Sequence, residues 1–308
     1  MLTRFFGSST PFAVVVVLIY MTIGFFFSHS DIMIAPFTWR RALITAGMYV
    51  LYVLTMFILS FVSQKNDLTK RNSYGVLLFA ALSLALPVAL RDEAVLIAGF
   101  FILLAMRRII SFKSELHMER KIFDAAFWIL LAAAFFSYSW LYTLALYLAL
   151  LFYGITVVRY VFIPLVALCS FGIMYYAILL WQAGDPSQVA ITWYPVSLDF
   201  TSYGNVQVLV AIAFFIGTIL WTVWKYLSEQ RKASMGTKGR YAVVLGILVS
   251  GLLVILCTTK KTGAEWYLII PVMTIIVSNY LEHTESKVFK ESLLWFIILL
   301  PLLIHMLA

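Results

Sequence analysis

The sequence predicts an all-α fold, a polytopic bundle of about eleven transmembrane helices. Three observations lead to this prediction. The 308-residue chain is 63% hydrophobic and only 12% charged. Its apolar runs recur from residue 11 to the end of the sequence, and most approach the length of about 20 residues that a helix needs to cross a hydrocarbon core. Lys and Arg are concentrated between these runs, as in loops that stay outside a bilayer.

The first four spans are predicted near 10–27, 42–63, 74–90 and 94–106. The run from Ile122 to Val158 has Asp124 as its only charge. As one straight helix it would be about 55 Å long, far more than a hydrocarbon core of about 30 Å. The run must therefore fold back. The polar patch at 137–139 predicts the turn, with spans at 122–138 and 141–158.

The remaining apolar runs predict spans near 160–182, 207–224, 241–258, 266–281 and 292–307. Basic loops resist translocation, so the distribution of Lys and Arg predicts orientation. With Arg4 on the cytoplasmic side, 17 of the 22 Lys and Arg residues lie inside. The N-terminus is therefore expected in the cytoplasm and the C-terminus outside.

The formal charge of +8 is explained by this topology and by contact with anionic lipid headgroups. Nothing in the sequence indicates nucleic-acid binding. Cys169 and Cys257 both fall in apolar spans, which favours structural thiols over a disulfide. No zinc-binding spacing is present and no cofactor is predicted, although a divalent metal at acidic outer loops stays open.

Charged residues at the predicted outer boundary form the candidate site. The cationic members, which are candidates for binding substrate phosphate, are Arg40, Arg41, Arg91, Lys260 and Lys261. The acidic members, which are candidates for catalysis, are Asp31, Asp92 and Glu93. Ionisable groups at such depth are costly unless they are paired or face a wet cavity. The alternative is that Arg91 and Asp92 pair with each other and cap helix ends.

A carboxylate beside several cations has the chemistry that a phosphate-bearing lipid substrate requires. The cations hold the phosphate, and the carboxylate accepts a proton from an attacking hydroxyl group. Asp31 follows the first span directly and is the candidate base. Asp92 and Glu93, held in a tight turn between two spans, are the candidates for orienting the second substrate.

The positions of these charges resemble those of the GT-C membrane glycosyltransferases. That superfamily typically has an essential acid in the first outer loop and a second acidic position in the loop after the third span. Asp31 and the cluster at 91–93 fall at those two places. The segment RDEAVLIAGFFILLAMRR, from Arg91 to Arg108, also looks like the fourth span of the superfamily. The resemblance covers about residues 1–180.

A GT-C-like arrangement of the first seven spans is what this resemblance implies. It divides the chain into a GT-C-like membrane module at 1–182, which carries the acidic outer loops, and a C-terminal membrane module of about four spans at 183–308.

A second resemblance covers most of the chain. The lead MLTRFFGSSTPF, the segment LLAMRRIISFKSE and the segment RKIFDAAFW followed by an apolar hairpin resemble an uncharacterised family of integral membrane proteins in Bacteroidota. This resemblance implies a multi-pass protein of the bacterial inner membrane and carries no established activity.

Two functions compete. The first, implied by the GT-C resemblance, is transfer of a sugar from a polyprenyl-phosphate donor at the outer face of the inner membrane, in envelope glycan assembly. The second is a non-catalytic membrane subunit, scaffold or transporter of envelope biogenesis. The scarcity of ionisable groups within the spans argues against a proton-coupled transporter. The expected partners are membrane lipids, the lipid-linked sugar and envelope-assembly proteins.

Overall fold

The computed structural model describes residues 1–30, 38–155, 157–183, 195–233 and 235–307. Within these ranges all regular secondary structure is helical. The α-helices are α1 (Leu2–Phe6), α2 (Pro11–Ser28), α3 (Trp39–Lys65), α4 (Tyr74–Leu84), α5 (Pro87–Arg91), α6 (Glu93–Ile110), α7 (Met118–Phe135), α8 (Thr143–Phe152), α9 (Val158–Ala183), α10 (Val206–Lys232), α11 (Met235–Cys257), α12 (Ile270–Glu282) and α13 (Lys287–His305). Short 3-10 helices cover Ser111–Ser114, Ser137–Tyr142, Thr201–Tyr203 and Ala264–Ile269.

Eight helical segments in the described ranges are long and apolar enough to cross a membrane. They are Pro11–Ser28, Trp39–Lys65, Glu93–Ser114, Val158–Gln182, Val206–Lys232, Lys238–Cys257, Ala264–Glu282 and Lys287–His305. Two shorter apolar helices are Tyr74–Leu84 and Ser137–Phe152. The predicted all-α membrane class is therefore confirmed, while the count of eleven spans and the orientation of the termini stay predictions.

The predicted break in the long apolar run is confirmed. α7 ends at Phe135, and the 3-10 helix Ser137–Tyr142 leads into α8. The hydroxyl group of Tyr138 donates to the carbonyl of Pro195 at 2.8 Å, which fixes the turn to a neighbouring loop. α8 ends at Phe152, six residues before the predicted end, because Gly154 follows in the left-handed region at φ +68°.

The third predicted span, 74–90, is not one continuous helix. α4 ends at Leu84 and α5 begins at Pro87. Proline has no backbone N–H and its ring clashes with the preceding turn, so it starts a new helix more readily than it continues one. α5 then ends at Arg91, which brings the charged turn at 91–93 directly onto the end of this short helix.

Two short helices, α4 and α12, lie at the centre of the bundle. Ten of the eleven residues of α4 are buried, and 94% of the apolar window in Ala264–Glu282 is buried. α4 packs against both α12 and α2. By contrast, only 17% of the apolar window in Val158–Gln182 is buried, which makes α9 a peripheral helix with a wide apolar surface for lipid.

Helices from the two predicted modules pack into this shared core. The hydroxyl group of Tyr20 in α2 donates to the carbonyl of Ile298 in α13 at 2.8 Å. The side-chain amide of Asn279 in α12 donates to the carbonyl of Leu68 at 2.6 Å. The described helices before residue 182 are thus in direct contact with those after it, so the boundary between the two predicted modules is one of sequence only.

Candidate functional site

The end of the bundle that contains Ser28 and Arg91 is called the outer end below, after the predicted topology. The opposite end, which contains Lys65 and Ile110, is called the inner end. The predicted base Asp31 lies outside the described residues; the helix α2 ends at Ser28, and Ser30 is the last described residue before the gap.

Arg91 joins the end of the first span to the turn before α6. Its guanidinium Nε donates to the carbonyl of Ser28, the last residue of α2. Carbonyls at a helix C-terminus lack intrahelical partners and attract cations. The contact places the charged turn at 91–93 against Ser28, which lies three residues before Asp31 in the sequence.

His29 lies beside this contact and is only 2% exposed. Its Nδ1 is 2.9 Å from the carbonyl of Phe25, and its ring stacks on the Phe25 ring at 4.3 Å. Burial lowers the pKa of His29, the bond to the Phe25 carbonyl acts in the opposite direction, and the charge of Arg91 lowers it further. A neutral imidazole with its proton on Nδ1 leaves Nε2 as a hydrogen-bond acceptor.

The two acids that follow Arg91 have different surroundings. Asp92 is the N-cap of α6, and its carboxylate accepts a bond from the backbone N–H of Val95 at 3.1 Å. Glu93 is exposed in the first turn of α6, where the helix dipole favours a carboxylate. Asp92 therefore has the capping role that was considered from the sequence, and Glu93 is the accessible acid of the pair.

The predicted phosphate-binding residues also differ in accessibility. Arg40 and Arg41 are exposed in the first turn of α3, and Lys260 is exposed after α11. Lys261 is fully buried. Its ammonium donates to the carbonyls of Ser197, Leu256 and Thr258.

The geometry around Lys261 departs from the role expected from the sequence. Its Nζ lies 2.7 Å from the Ser197 oxygen and 3.0 Å from the Leu256 oxygen, and it lies over the ring of Phe200 at 4.7 Å. A lysine ammonium has three protons, and three protein carbonyls accept them here. Lys261 closes the C-terminus of α11 and anchors the loop at 195–200, so its donors are not directed at a ligand.

Glu265 belongs to a second buried network beside Lys261. Its carboxylate accepts bonds from the Tyr203 hydroxyl group and, at 3.0 Å, from the backbone N–H of Gly263. The indole of Trp266 donates to the Tyr203 oxygen at 3.2 Å. Burial raises the pKa of Tyr203, and the neighbouring Glu265 carboxylate raises it further. This network ties the segment before α10 to the segment before α12.

Asp199 lies on the same anchored loop but is exposed. Its carboxylate accepts bonds from the backbone and side chain of Thr201, at 2.9 and 2.7 Å. These bonds lower the pKa of Asp199, and the positive charge of Lys261 contributes in the same direction. Asp199 is thus an ionised acid at the outer end without a role in either buried network.

The structure brings five of the predicted site residues into two neighbouring groups, and Arg40 and Arg41 belong to neither. Arg91, Asp92 and Glu93 adjoin the end of α2, whereas Lys260 and Lys261 belong to the group around Glu265. The short helix α5 contacts both α2 and the 3-10 helix Ala264–Ile269, so the groups share one end of the bundle. In the described part of the chain, no cluster of three or more His, Cys, Asp or Glu side chains is arranged to hold a metal ion.

Fold and site together define a polytopic helical membrane protein with buried charged groups at one end of the bundle. The chain belongs to a family of unknown function, DUF6427, whose model matches residues 8–308. A search of curated proteins and a search of solved structures gave no match. The expected membership of an uncharacterised family is thus confirmed, and the GT-C resemblance and the Bacteroidota origin stay expectations.

Proposed function

We propose that the protein is an inner-membrane glycosyltransferase that takes a sugar from a polyprenyl-phosphate donor at the outer face, in envelope glycan assembly. The contact between Arg91 and the Ser28 carbonyl is the observation that supports it. Through this contact a cation and two acids from the turn before α6 adjoin the end of α2, three residues before Asp31 in the sequence. A cation next to a carboxylate is the combination that phosphate-linked transfer requires.

In the proposed reaction, a hydroxyl oxygen of the acceptor attacks the anomeric carbon of the sugar. The bond between that carbon and the phosphate oxygen breaks, and polyprenyl phosphate leaves with the bonding electrons. Asp31 takes the proton of the attacking hydroxyl group. Single displacement inverts the anomeric carbon. Glu93, exposed at the start of α6, orients the acceptor or supports a divalent metal, with Asp92 fixing the start of the helix.

Arg91 and the exposed Lys260 are proposed to bind the donor phosphate and to stabilise the charge that develops on it. Arg40 and Arg41, exposed at the start of α3, extend this cationic surface. Lys261 is left out of the phosphate site because three carbonyls already accept its protons. Its role in the proposal is to hold the loop that borders the site.

We further propose eleven crossings with the N-terminus in the cytoplasm. Bonds at the inner end support the alternation of helix direction: the Tyr153 hydroxyl group donates to the Ile110 carbonyl at 3.3 Å, and the Arg240 guanidinium donates to the Asn66 carbonyl at 2.6 Å. Alkaline phosphatase, which is active only outside the cytoplasm, is expected to be active when fused after Asp199 and inactive when fused after Lys113. High activity after Lys113 contradicts the proposed orientation.

A non-catalytic membrane subunit or scaffold is the second candidate, and one observation favours it. The charges of Lys261 and Glu265 are satisfied by protein groups within the fold, as expected where buried charges serve structure. In this alternative the outer end binds lipid headgroups or an envelope-assembly protein and transfers nothing.

The two functions are separated by mass spectrometry of polyprenyl-linked lipids and envelope glycans. A deletion strain is complemented with the wild-type gene, with Asp31→Asn or with Asp199→Asn, at equal expression. For a transferase, the deletion and Asp31→Asn strains accumulate a lipid-linked sugar and their glycan lacks one residue. Asp199→Asn is the matched control, because it neutralises an exposed outer acid outside the proposed site, and it is expected to restore the wild-type profile.

Unchanged lipid and glycan profiles in the deletion strain would exclude the transferase. A defect in the deletion strain that Asp31→Asn repairs fully would favour the scaffold, since the protein is then needed without its proposed base.

A further inference from the structure

A basic pocket of about 500 Å³ lies at the inner end of the bundle. It is formed where the inner ends of α3, α6, α7 and α11 meet the 3-10 helix Ser111–Ser114. Among the described residues that line it, Asp67 is the one carboxylate, and its side chain is 83% exposed. Six cationic side chains line the pocket: Lys65, Arg107, Arg108, Lys113, Lys121 and Arg240.

Protein groups fix some of these cations in place. The Arg240 side chain is only 12% exposed, and its guanidinium lies 2.6 Å from the carbonyl of Asn66 and 3.5 Å from the carboxylate of Asp67. The ammonium of Lys121 donates to the carbonyl of Ser111 at 2.7 Å. These contacts hold the side chains of Arg240 and Lys121 in place as part of the lining, and the pocket between them stays open.

Two other cations share a single aromatic ring. The Lys65 ammonium and the Arg107 guanidinium lie 5.2 and 5.4 Å from the centroid of the Phe61 ring. A third, Lys113, is exposed on the turn after α6. Within the described ranges, none of these three forms a salt bridge. Arg108, by contrast, is paired with Asp124 at 2.8 Å.

Cations held this close repel one another, and the repulsion is strongest where water is partly excluded. An anion with several oxygens relieves it by accepting bonds from more than one donor, and a guanidinium beside an ammonium suits a phosphate group in particular. We propose that the basic pocket is a binding site for a phosphate group, with Lys65, Arg107 and Lys113 as its ligands.

The position of Phe61 favours the phosphate of a membrane lipid over a soluble compound. Phe61 is 49% exposed on α3, one turn before Lys65, and α3 is one of the helices able to span a membrane. The pocket therefore adjoins the boundary where headgroups lie, and the ring offers an apolar surface to the adjoining acyl chain. Negative lipids of the cytoplasmic leaflet attract basic clusters at this depth.

This site is separate from the proposed transferase site. The outer turn at 91–93 and the inner pocket lie at opposite ends of α6, whose 18 residues correspond to a length of about 27 Å. Asp31→Asn is accordingly expected to leave phosphate binding in the pocket unchanged. The transferase proposal and the pocket proposal can therefore fail independently of each other.

The test uses the full-length protein, purified and delipidated in detergent. Phosphatidic acid in mixed micelles is titrated and counted by native mass spectrometry, and inorganic pyrophosphate is titrated by calorimetry. The double variant Lys65→Gln/Arg107→Gln is expected to bind phosphatidic acid about 30-fold more weakly than the wild type. The matched control Arg71→Gln/Lys287→Gln removes two exposed inner-end cations outside the pocket and is expected to bind like the wild type.

Pyrophosphate that displaces phosphatidic acid identifies a site for the phosphate group itself, whereas lipid binding that pyrophosphate leaves intact identifies a site that also requires the acyl chain. Equal weakening in both double variants, or none in the pocket variant, overturns the proposal in favour of general attraction to negative surfaces. If the pocket variant is not monodisperse, Lys113→Gln, on the exposed turn, replaces it with the same expected direction.

Discussion

Replacing Lys261 with methionine is expected to lower the free energy of unfolding by about 3 kcal/mol. Methionine fills a similar volume but has no proton to donate. The carbonyls of Ser197, Leu256 and Thr258, which accept bonds from the ammonium, would then lose this donor, and the bond to Thr258 is a buried one. Stability is measured as the fraction of monodisperse protein that remains after heating in detergent.

Lys260→Met is the matched control for this prediction. It is the adjacent lysine and it is exposed, so the same loss of charge is expected to leave the midpoint of the thermal transition unchanged. Equal midpoints for the two variants would mean that the buried ammonium is not what holds the loop at 195–200 to the end of α11.

Gly251→Val is expected to lower the free energy of unfolding by a similar amount, about 3 kcal/mol, because the added side chain overpacks the core. A Cβ at Gly251 would lie 2.4 Å from Cγ2 of Ile269 and 2.6 Å from the hydroxyl oxygen of Tyr142. Neither neighbour can easily give way, because Ile269 is fully buried and Tyr142 donates a bond to the Leu268 carbonyl at 3.0 Å. The heating assay in detergent reports this loss.

Gly217→Val serves as the control in the same experiment. Gly217 lies within α10, and a Cβ built there meets no heavy atom within 4 Å. The change in helix propensity from glycine to valine is the same at both positions, so any difference in stability between the variants isolates the effect of packing. A Gly251→Val protein as stable as Gly217→Val would refute the close contact between α11 and the 3-10 helix Ala264–Ile269.

Much of the helical fold was accessible from the sequence because apolar run length is a direct signal in membrane proteins. The turn near 137–139 could be predicted since a 37-residue apolar run exceeds the thickness of any hydrocarbon core. The break before Pro87 was missed, because a proline near a span end is compatible with either a kink or a new helix. Local chemistry alone does not distinguish the two.

The site was harder to predict, since charges at a boundary look alike until their partners are known. Lys260 and Lys261 are adjacent in sequence, yet one is exposed and the other is enclosed by carbonyls. The partner carbonyl of Ser197 lies 64 residues earlier, beyond the reach of any local pattern. The capping role of Asp92, in contrast, follows from its place just before an apolar helix.

The inner pocket was invisible to sequence reasoning for a related reason. Its cations were accounted for by the preference of basic loops for the cytoplasm, which explains their number but not their arrangement. That four helix ends converge on Phe61 and its neighbours is a property of packing. The only part of this arrangement visible in the local sequence is a spacing such as that of Phe61 and Lys65, which are four residues apart and therefore lie on one helix face.

The burial of α4 against α12 has a consequence for the order in which the protein can be made. α4 is synthesised early in translation and α12 late, with almost 200 residues between them. During translation α4 therefore lacks its neighbour α12 until the chain has been made and inserted as far as residue 282. Closure of the core around α4 is therefore a late step in the biogenesis of this protein, since α12 and then α13 both pack against a helix made much earlier.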